Sequence, residues 1–360
     1  MAIDALSPGG AARTLIWQTY FAGVTLGSPT GSYSFWTVPI NGTDSITGFN
    51  FIDNSAIKAE FGPTAKVELQ CIATNNFSTT FADHFVPAIN SSTTISGKPS
   101  AGEIVLRNLV CSTTYPEQTY LAITRSANSA YNADHRELYY TFEFKLPSGL
   151  AIDTLGEFKV LTEFKTGCAD ATKMAAVTAG TNRTGSSCAS LNKDAGAGDF
   201  RFLVQLTGAN SLLNELQVRL DNFADNGGSL TVPSAYWDET GYHQSSATIT
   251  SLTKINYFNV NTGISCPLNT RLRMHVYYRL ADSPRYQDRP TGVLQVMLED
   301  LDNNVAYVLV NIENSYSYQL TGSFNLPISR NFLIQSYDVQ NDVPMTATAL
   351  QLWDKPPITF

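Results

Sequence analysis

Proton-transferring and positively charged side chains alternate with apolar ones in residues 271–280, RLRMHVYYRL. A period of two places Arg273, His275, Tyr277 and Arg279 on one face of a predicted strand. Imidazole and phenol groups transfer protons, and guanidinium groups bind carboxylates. This pattern predicts the floor of a groove for a polyhydroxylated, anionic ligand, with local positive potential despite a net charge of −8.

Four more predicted strands carry one apolar face and one face of long polar side chains. We expect these polar residues to join the same groove if neighbouring strands form one concave sheet. A solvated outer face of an antiparallel sheet would show the same alternation, and it is the alternative interpretation. The residues concerned are His135 and Tyr139 in HRELYYTFEFK, Glu163 and Lys165 in FKVLTEFK, Arg201 and Gln205 in DFRFLVQL, and Arg219 in ELQVRLD.

The elements that must position these residues are short strands separated by Gly, Pro, Asn, Asp and Ser. Such punctuation favours an all-β sandwich or jelly roll of two antiparallel sheets, one of them concave. We expect residues 1–13 to be a flexible lead-in and residues 14–357 to form a single domain. One short helix is predicted around GANSLLNEL.

The overall composition limits the classes of partner that this chain is expected to bind. The chain has 360 residues, of which 43% are hydrophobic and 15% charged, so a large core is expected and disorder is not. A pI of about 5.0 disfavours binding to nucleic acid or to anionic membranes. No apolar run approaches a membrane span, and no secretory signal is recognisable at the N-terminus. We therefore expect an extracellular or a virion-associated location, with release by cell lysis as one route.

Two smaller features leave alternatives open. A disulfide between Cys168 and Cys188 would staple the small-residue loop between them, although all five cysteines could equally be small buried side chains. The DLDNN run at residues 300–304 is typical of a hairpin turn, with calcium binding as the less favoured interpretation. No cofactor and no metal site is predicted.

Four stretches in order resemble the jelly-roll polysaccharide lyases, within the concanavalin A-like lectin/glucanase architecture. They are ELYYTFEFKLP, FKVLTEFKTG, the segment LNTRLRMHVYYRLADSPRYQDRPTGVLQVMLEDLDNNV and the closing strand MTATALQLWDKPP. GTDSITGFNF near the start is a weaker echo. The Gln-x-His signature of the alginate-type members is absent. Many members have an Arg-x-Glu-Leu strand, and here His135 follows an Asp where an Arg would be expected.

The resemblance implies cleavage of a uronate-containing polysaccharide by β-elimination. This reaction needs a base for the C5 proton, a group that neutralises the adjacent carboxylate, and an acid for the departing oxygen. Tyr277 and His275 are the predicted base and acid, with flanking arginines expected to stabilise the Tyr277 phenolate. Arg201 and Gln205 are predicted to stabilise the substrate carboxylate. The predicted substrate-binding residues are Arg273, Arg219, Arg279, Lys165, Glu163, Tyr139 and His135.

Two rival functions remain open at this point. The chain could be a non-catalytic carbohydrate-binding or structural protein of a phage virion or tail, assembling with itself or with other virion proteins. A hydrolase using Glu163 is a weaker third option, because the paired-carboxylate pattern of laminarinase-like enzymes is missing.

Overall fold

A computed structural model describes residues 14–32, 35–41, 55–63, 65–72, 88–90, 102–108, 117–124, 137–154, 157–166, 200–208, 212–222, 230–232, 236–238, 241–243, 247–249, 258–279, 291–315, 328–338 and 343–354. Its elements in chain order are β1 (Leu15–Thr19), β2 (Thr25–Leu26), β3 (Thr30–Ser32), β4 (Phe35–Val38), β5 (Ile40–Asn41), α1 (Ser55–Phe61), β6 (Lys66–Ile72), β7 (Ala88–Asn90), β8 (Glu103–Leu106), β9 (Glu117–Thr124), β10 (Glu137–Lys145), β11 (Phe158–Thr166), β12 (Phe200–Thr207), β13 (Glu215–Asn222), β14 (Leu230–Val232), β15 (Tyr236–Asp238), β16 (Gly241–His243), β17 (Ala247–Ile249), β18 (Phe258–Ser265), β19 (Leu272–Arg279), β20 (Gly292–Asp300), β21 (Val305–Ser315), β22 (Ile328–Asp338) and β23 (Met345–Trp353).

Two antiparallel sheets hold most of these strands. The first, which we call the front sheet, has the order β21-β20-β19-β10-β23-β8-β7, and β1 also pairs with β23. The second, the back sheet, has the order β18-β13-β12-β11-β22-β9-β6-β4-β3. Three small two-stranded sheets accompany them. The chain is an all-β jelly-roll sandwich, which confirms the predicted fold class.

The core lies between the inner faces of the two sheets. Leu272, Met274, Val276 and Tyr278 of β19 belong to one buried cluster together with inward residues of the back sheet. The ring of Tyr278 lies 4.0 Å, centroid to centroid, from that of Phe164 on β11. Because both sheets direct their apolar side chains inward, their outer faces point away from each other.

The helix lies elsewhere than the sequence predicts. In the predicted region, Leu213 and Asn214 form a turn that leads into β13, so the helix prediction is wrong for the described residues of GANSLLNEL. The described helix is α1, which buries Ile57 and Phe61 one turn apart. It ends at Phe61. The next residue, Gly62, has a φ of 105°, which suits a residue without a side chain, and its N–H donates to the carbonyl of Lys58.

Several predictions fall outside the described residues. These are the lead-in over residues 1–13, the Cys168–Cys188 disulfide, the GTDSITGFNF echo and His135. The single-domain boundary and the concavity of one sheet stay predictions. Within the described ranges, no helix is both long and apolar enough to cross a membrane.

Candidate functional site

The outer face of the front sheet carries rows of polar side chains that run across its strands. β10 and β19 pair in register, so Tyr139 lies opposite Tyr277 and Thr141 lies opposite His275. On the far side of β19, β20 places Gln295 beside Tyr277. These residues face away from the core, yet His275 and Tyr277 are only 4% and 7% exposed, so this face is sheltered from bulk water.

Tyr139, His275 and Glu299 form a hydrogen-bonded chain, which we call the Tyr–His–Glu chain. The Tyr139 hydroxyl lies 2.6 Å from Nδ1 of His275, and Nε2 of His275 lies 2.8 Å from Oε2 of Glu299. An ionised carboxylate only accepts, so Nε2 carries the hydrogen. In the neutral imidazole Nδ1 then accepts from the Tyr139 hydroxyl, an assignment that follows from the network. The chain can move a proton from a phenol to an imidazole.

Glu299 keeps its negative charge in this setting. Burial opposes that charge, but three other effects together lower the pKa of Glu299: the hydrogen bond from His275, the positive charge of His275 when it is protonated, and the charge and hydrogen bond of Arg273. The carboxylate therefore fixes the imidazole tautomer, as the aspartate does in a Ser-His-Asp triad. It does not serve as a proton donor.

Arg273 is held between two carboxylates. Its Nη2 and Nε donate to Oε1 of Glu143 at 2.8 and 3.3 Å, and its Nη1 donates to Oε2 of Glu299 at 3.2 Å. Burial favours the neutral form of Arg273, yet these two carboxylates raise its pKa. The guanidinium thus already binds two protein carboxylates, and its hydrogen bond to Glu299 helps to hold the Tyr–His–Glu chain in place.

Tyr277 is a proton donor in this structure. Its hydroxyl donates to Oε1 of Glu137 at 2.6 Å. Burial, followed by the hydrogen bond and charge of Glu137, raises its pKa well above the usual value of 10.0, and the opposing effect of Arg279 is smaller. The expected phenolate stabilised by arginines is therefore not what the structure provides.

Gln295 supplies an unused acceptor next to Tyr277. The side chain is 3% exposed, and its Nε2 donates to Oδ1 of Asn311 at 2.9 Å. Its buried Oε1 has no hydrogen-bond partner among the residues that the structure describes. Buried polar atoms are seldom left unpaired, so this amide is suited to receive a ligand group.

The predicted site residues divide between the two sheets. Tyr139, Arg273, His275, Tyr277 and Arg279 lie together on the front sheet. Those from β11, β12 and β13 lie on the back sheet, whose outer face points the opposite way. One groove shared by both groups is therefore not what this fold builds. The back-sheet group is Glu163, Lys165, Arg201, Gln205 and Arg219.

Part of the described polar face of β12, β13 and β18 is a ladder of amide side chains. Gln205 Nε2 donates to Oε1 of Gln217 at 2.5 Å, and Gln217 Nε2 donates to Oδ1 of Asn261 at 2.6 Å. Glu163 lies two strands away from Arg219 in the same register row, and it is buried. Primary amides neither gain nor lose a proton near neutral pH, so this ladder can form hydrogen bonds but cannot act as an acid or a base.

The charge of the front face also differs from the prediction. Around Tyr277 and His275, the three carboxylates of Glu137, Glu143 and Glu299 meet the two guanidinium groups of Arg273 and Arg279. Among the described residues, each of these arginines has a glutamate on a neighbouring strand, so cations do not outnumber carboxylates around Tyr277 and His275. This part of the face does not supply the expected local positive potential.

Sequence analysis missed Glu137, Glu143, Gln295 and Glu299 as site residues. A signal for two of them exists in GVLQVMLED, where Val293, Gln295, Met297 and Glu299 share one face. A glutamine and a glutamate on that face interrupt an otherwise apolar strand.

The DLDNN run forms the predicted hairpin turn between β20 and β21.

Within the described part of the chain, no three His, Cys, Asp or Glu side chains gather as a metal site. In the DLDNN turn, Oδ1 of Asp300 accepts from Thr270, Asp302 and Asn303, and the Asp302 carboxylate accepts from Arg271. These donors occupy oxygens that a calcium ion would need.

Comparisons with known proteins identify similar folds at low similarity. No family model matches the chain. No curated protein matches it by sequence. An endo-β-1,4-glucuronan lyase from the fungus Trichoderma reesei aligns over 80% of this chain and 96% of its own, with 8% identity and a TM-score of 0.41. A marine alginate lyase from Aplysia kurodai aligns over 95% and 100%, with 8% identity and a TM-score of 0.42. An alginate lyase from Chlorella virus aligns over 82% and 94%, with 11% identity and a TM-score of 0.37. Similarity at this level assigns no activity.

Proposed function

We propose that this protein is a polysaccharide lyase, which cleaves a uronate-containing polysaccharide by β-elimination on the outer face of the front sheet. The observation that carries the proposal is the Tyr–His–Glu chain, with contacts of 2.6 and 2.8 Å, on the same sheltered face as the proton-donating Tyr277. One face thus carries a pair of side chains that can accept a proton, Tyr139 with His275, and a side chain that can donate one, Tyr277, as this reaction requires.

The base in this proposal is the Tyr139–His275 pair. The Tyr139 oxygen takes the C5 proton of the uronate while its own proton passes to Nδ1 of His275. Glu299 stabilises the imidazolium that forms, just as it fixes the neutral tautomer beforehand. Tyr139 is 1% exposed, so its oxygen would reach the uronate only if the side chains packed over it, Tyr277 and Trp353 among them, move aside. His275 and Glu299 act through Tyr139.

The acid is Tyr277. Its raised pKa means that it still carries its proton when the C4–O bond breaks. The electron pair from the C5–H bond forms the new double bond, and Tyr277 protonates the departing glycosidic oxygen. Arg279, two residues further along β19, is the group placed to bind the uronate carboxylate, and the unpaired Oε1 of Gln295 can accept a hydrogen bond from a sugar hydroxyl.

The geometry supports a lyase better than a hydrolase. A glycosidase needs one carboxyl group that is protonated near neutral pH. The pKa of Glu299 is lowered, so it is ionised there. Glu163, the carboxylate expected for a hydrolase, lies on the back sheet away from the Tyr–His–Glu chain.

The test is a panel of acidic polymers: alginate, glucuronan, heparin, hyaluronan and pectate. A lyase produces the ultraviolet absorbance of an unsaturated uronate together with new reducing ends. New reducing ends without that absorbance would indicate a hydrolase. Intact polymer throughout, with measurable binding, would replace the lyase by the second candidate.

The second candidate is a non-catalytic glycan-binding protein. One observation favours it: the hydroxyls of Tyr139 and Tyr277 already have protein partners at 2.6 Å, so both sites are satisfied without a ligand. A structural protein of a phage virion or tail, with self-assembly, is a separate non-catalytic alternative, which would neither bind nor cleave the polymers. An extracellular or virion location stays a prediction for both candidates.

A further inference from the structure

A cluster of uncharged polar side chains lies beside the Tyr–His–Glu chain, towards the β1 side of the front sheet. It consists of Gln18 on β1, Tyr20 just after it, Thr141 on β10 and Gln351 on β23; we call it the amide cluster. Thr141 pairs with Gln351 in register, and Gln351 pairs with Gln18. Since Thr141 also lies opposite His275, one row leads from the proposed site to the amide cluster.

Hydrogen bonds fix how the amide cluster presents its groups. Oε1 of Gln18 accepts from Nε2 of Gln351 at 3.1 Å and from the Tyr20 hydroxyl at 3.2 Å. Oε1 of Gln351 accepts from Thr141 at 3.3 Å. Two donors on its oxygen force the amide nitrogen of Gln18 to point away from them. Within the described part of the chain that nitrogen has no recorded acceptor, which leaves its two N–H groups for a ligand.

The amide cluster contrasts with the charged row next to it. One strand pair away, the guanidinium of Arg273 is already shared between Glu143 and Glu299, so it offers little positive charge to a ligand. A polymer with a carboxylate on every sugar would place several negative charges along a face whose carboxylates are not outnumbered by cations. Like charges in such a sheltered site are costly. Uncharged amide and hydroxyl groups instead match the hydroxyls of a neutral sugar.

We infer that the amide cluster is a binding subsite for a neutral sugar, and that the substrate is a polysaccharide in which uronates alternate with uncharged sugars. This inference rests on the proposed lyase function for its catalytic half. Thr141, Gln351 and Gln18 lie one, two and three strands from His275, so the neutral ring occupies a position along the polymer next to the uronate that is cleaved. Trp353, two residues further along the strand that carries Gln351, packs against Tyr139, Tyr277 and Val293 and so lies on the catalytic side of this subsite.

The experiment compares three polymers: hyaluronan, which alternates a uronate with an uncharged sugar, alginate, in which every sugar is a uronate, and a neutral glucan. Initial rates of ultraviolet absorbance are measured for the wild type, Gln18→Ala and a matched glutamine control on the back sheet, Gln118→Ala. Binding of the same polymers is measured in parallel by calorimetry. We expect wild type to favour hyaluronan in both assays.

For Gln18→Ala we expect KM for hyaluronan to rise about 3- to 10-fold, the range for loss of one or two hydrogen bonds, with kcat unchanged. Gln118→Ala should leave both constants unchanged. Cleavage of alginate at least as fast as hyaluronan, with no effect of Gln18→Ala on either, overturns the subsite and leaves the lyase standing. Absence of cleavage for every polymer overturns the lyase; calorimetry then decides the subsite, which is supported if Gln18→Ala weakens hyaluronan binding and refuted if it does not.

Discussion

The two outer faces of this sandwich are built from the same strand pattern but hold different chemistry. On the front sheet, hydrogen bonds join titratable groups: Tyr139 to His275, His275 to Glu299, and Tyr277 to Glu137. On the described part of β12, β13 and β18, they join amides, from Gln205 through Gln217 to Asn261. Both faces are polar and partly shielded, so polarity alone does not distinguish them.

The difference lies in what each network can do with a proton. A phenol bonded to an imidazole can exchange a proton with it, and a nearby ionised carboxylate stabilises the product. A chain of amides can only orient a ligand. Function on a jelly roll is therefore better sought in the ionisation of linked groups than in the density of polar side chains on a face.

The largest expected effect comes from removing members of the front network. Tyr277→Phe and His275→Ala should each reduce lyase turnover at least ~100-fold, the usual contribution of a positioned acid or base. Gln205→Ala, on the back-sheet ladder, should stay within about twofold of wild type. The measurement is kcat from ultraviolet absorbance on the preferred polymer, with circular dichroism to show that each variant is folded. A large loss in Gln205→Ala combined with full activity in Tyr277→Phe would move the site to the back sheet.

A smaller loss is expected when the orientation of His275 is disturbed without removing it. Glu299→Gln replaces an ionised acceptor by a neutral amide, which no longer selects the tautomer with hydrogen on Nε2. We expect turnover to fall about 10- to 100-fold, because the imidazole remains in place while its tautomer is no longer fixed. The pH profile of kcat should also shift, because the imidazolium loses its stabilising charge. An unchanged pH profile would reduce Glu299 to a structural role.

The sequence predicts each strand's faces well, because period two requires only local information. Tyr139 and Tyr277 are sorted to the outer side by their apolar neighbours, and the structure pairs them opposite each other. What period two does not contain is the sheet to which a strand belongs. β10 pairs with β19, more than a hundred residues later, whereas β11 and β12 pair within the other sheet. The separation of Gln205 from His275 thus depends on long-range pairing.

The charge around each site residue is the second property that the local sequence does not predict. The arginines of β19 are evident in the sequence, but the partner that neutralises Arg273 is Glu143, 130 residues away in the chain. The same holds for Tyr277, whose pKa depends on Glu137 of the facing strand as well as on burial. Residue type identifies a candidate, while its ionisation is set by neighbours that only the fold supplies.

A direct readout of the front network is the ionisation of Tyr277. Burial and Glu137 raise its pKa, so Glu137→Gln should lower that pKa by removing both a charge and an ionised acceptor. Spectrophotometric titration of phenolate, compared with Tyr277→Phe to identify the signal, should show one tyrosine ionising at lower pH in Glu137→Gln than in wild type. Identical titrations of Glu137→Gln and wild type would mean that the two side chains are not coupled.

The smallest expected effect is on stability in acid. The pKa of Glu299 in the folded protein is below its ordinary value of 4.5, so its ionised form is favoured by folding. That contribution is present above pH 4.5 and is lost as the pH falls through the lowered pKa. Glu299→Gln should therefore lower Tm only slightly near neutral pH, by on the order of 1 °C for each 1 kcal/mol lost in a chain of this size. The gap to wild type should narrow well below pH 4.5, whereas Gln217→Ala should show a gap that does not change with pH, because the amide ladder has no group that titrates there. If the difference in Tm between Glu299→Gln and wild type is the same at every pH, Glu299 stabilises the protein by packing and not by its charge. The front and back faces would then respond to pH in the same way, although one network is ionisable and the other is not.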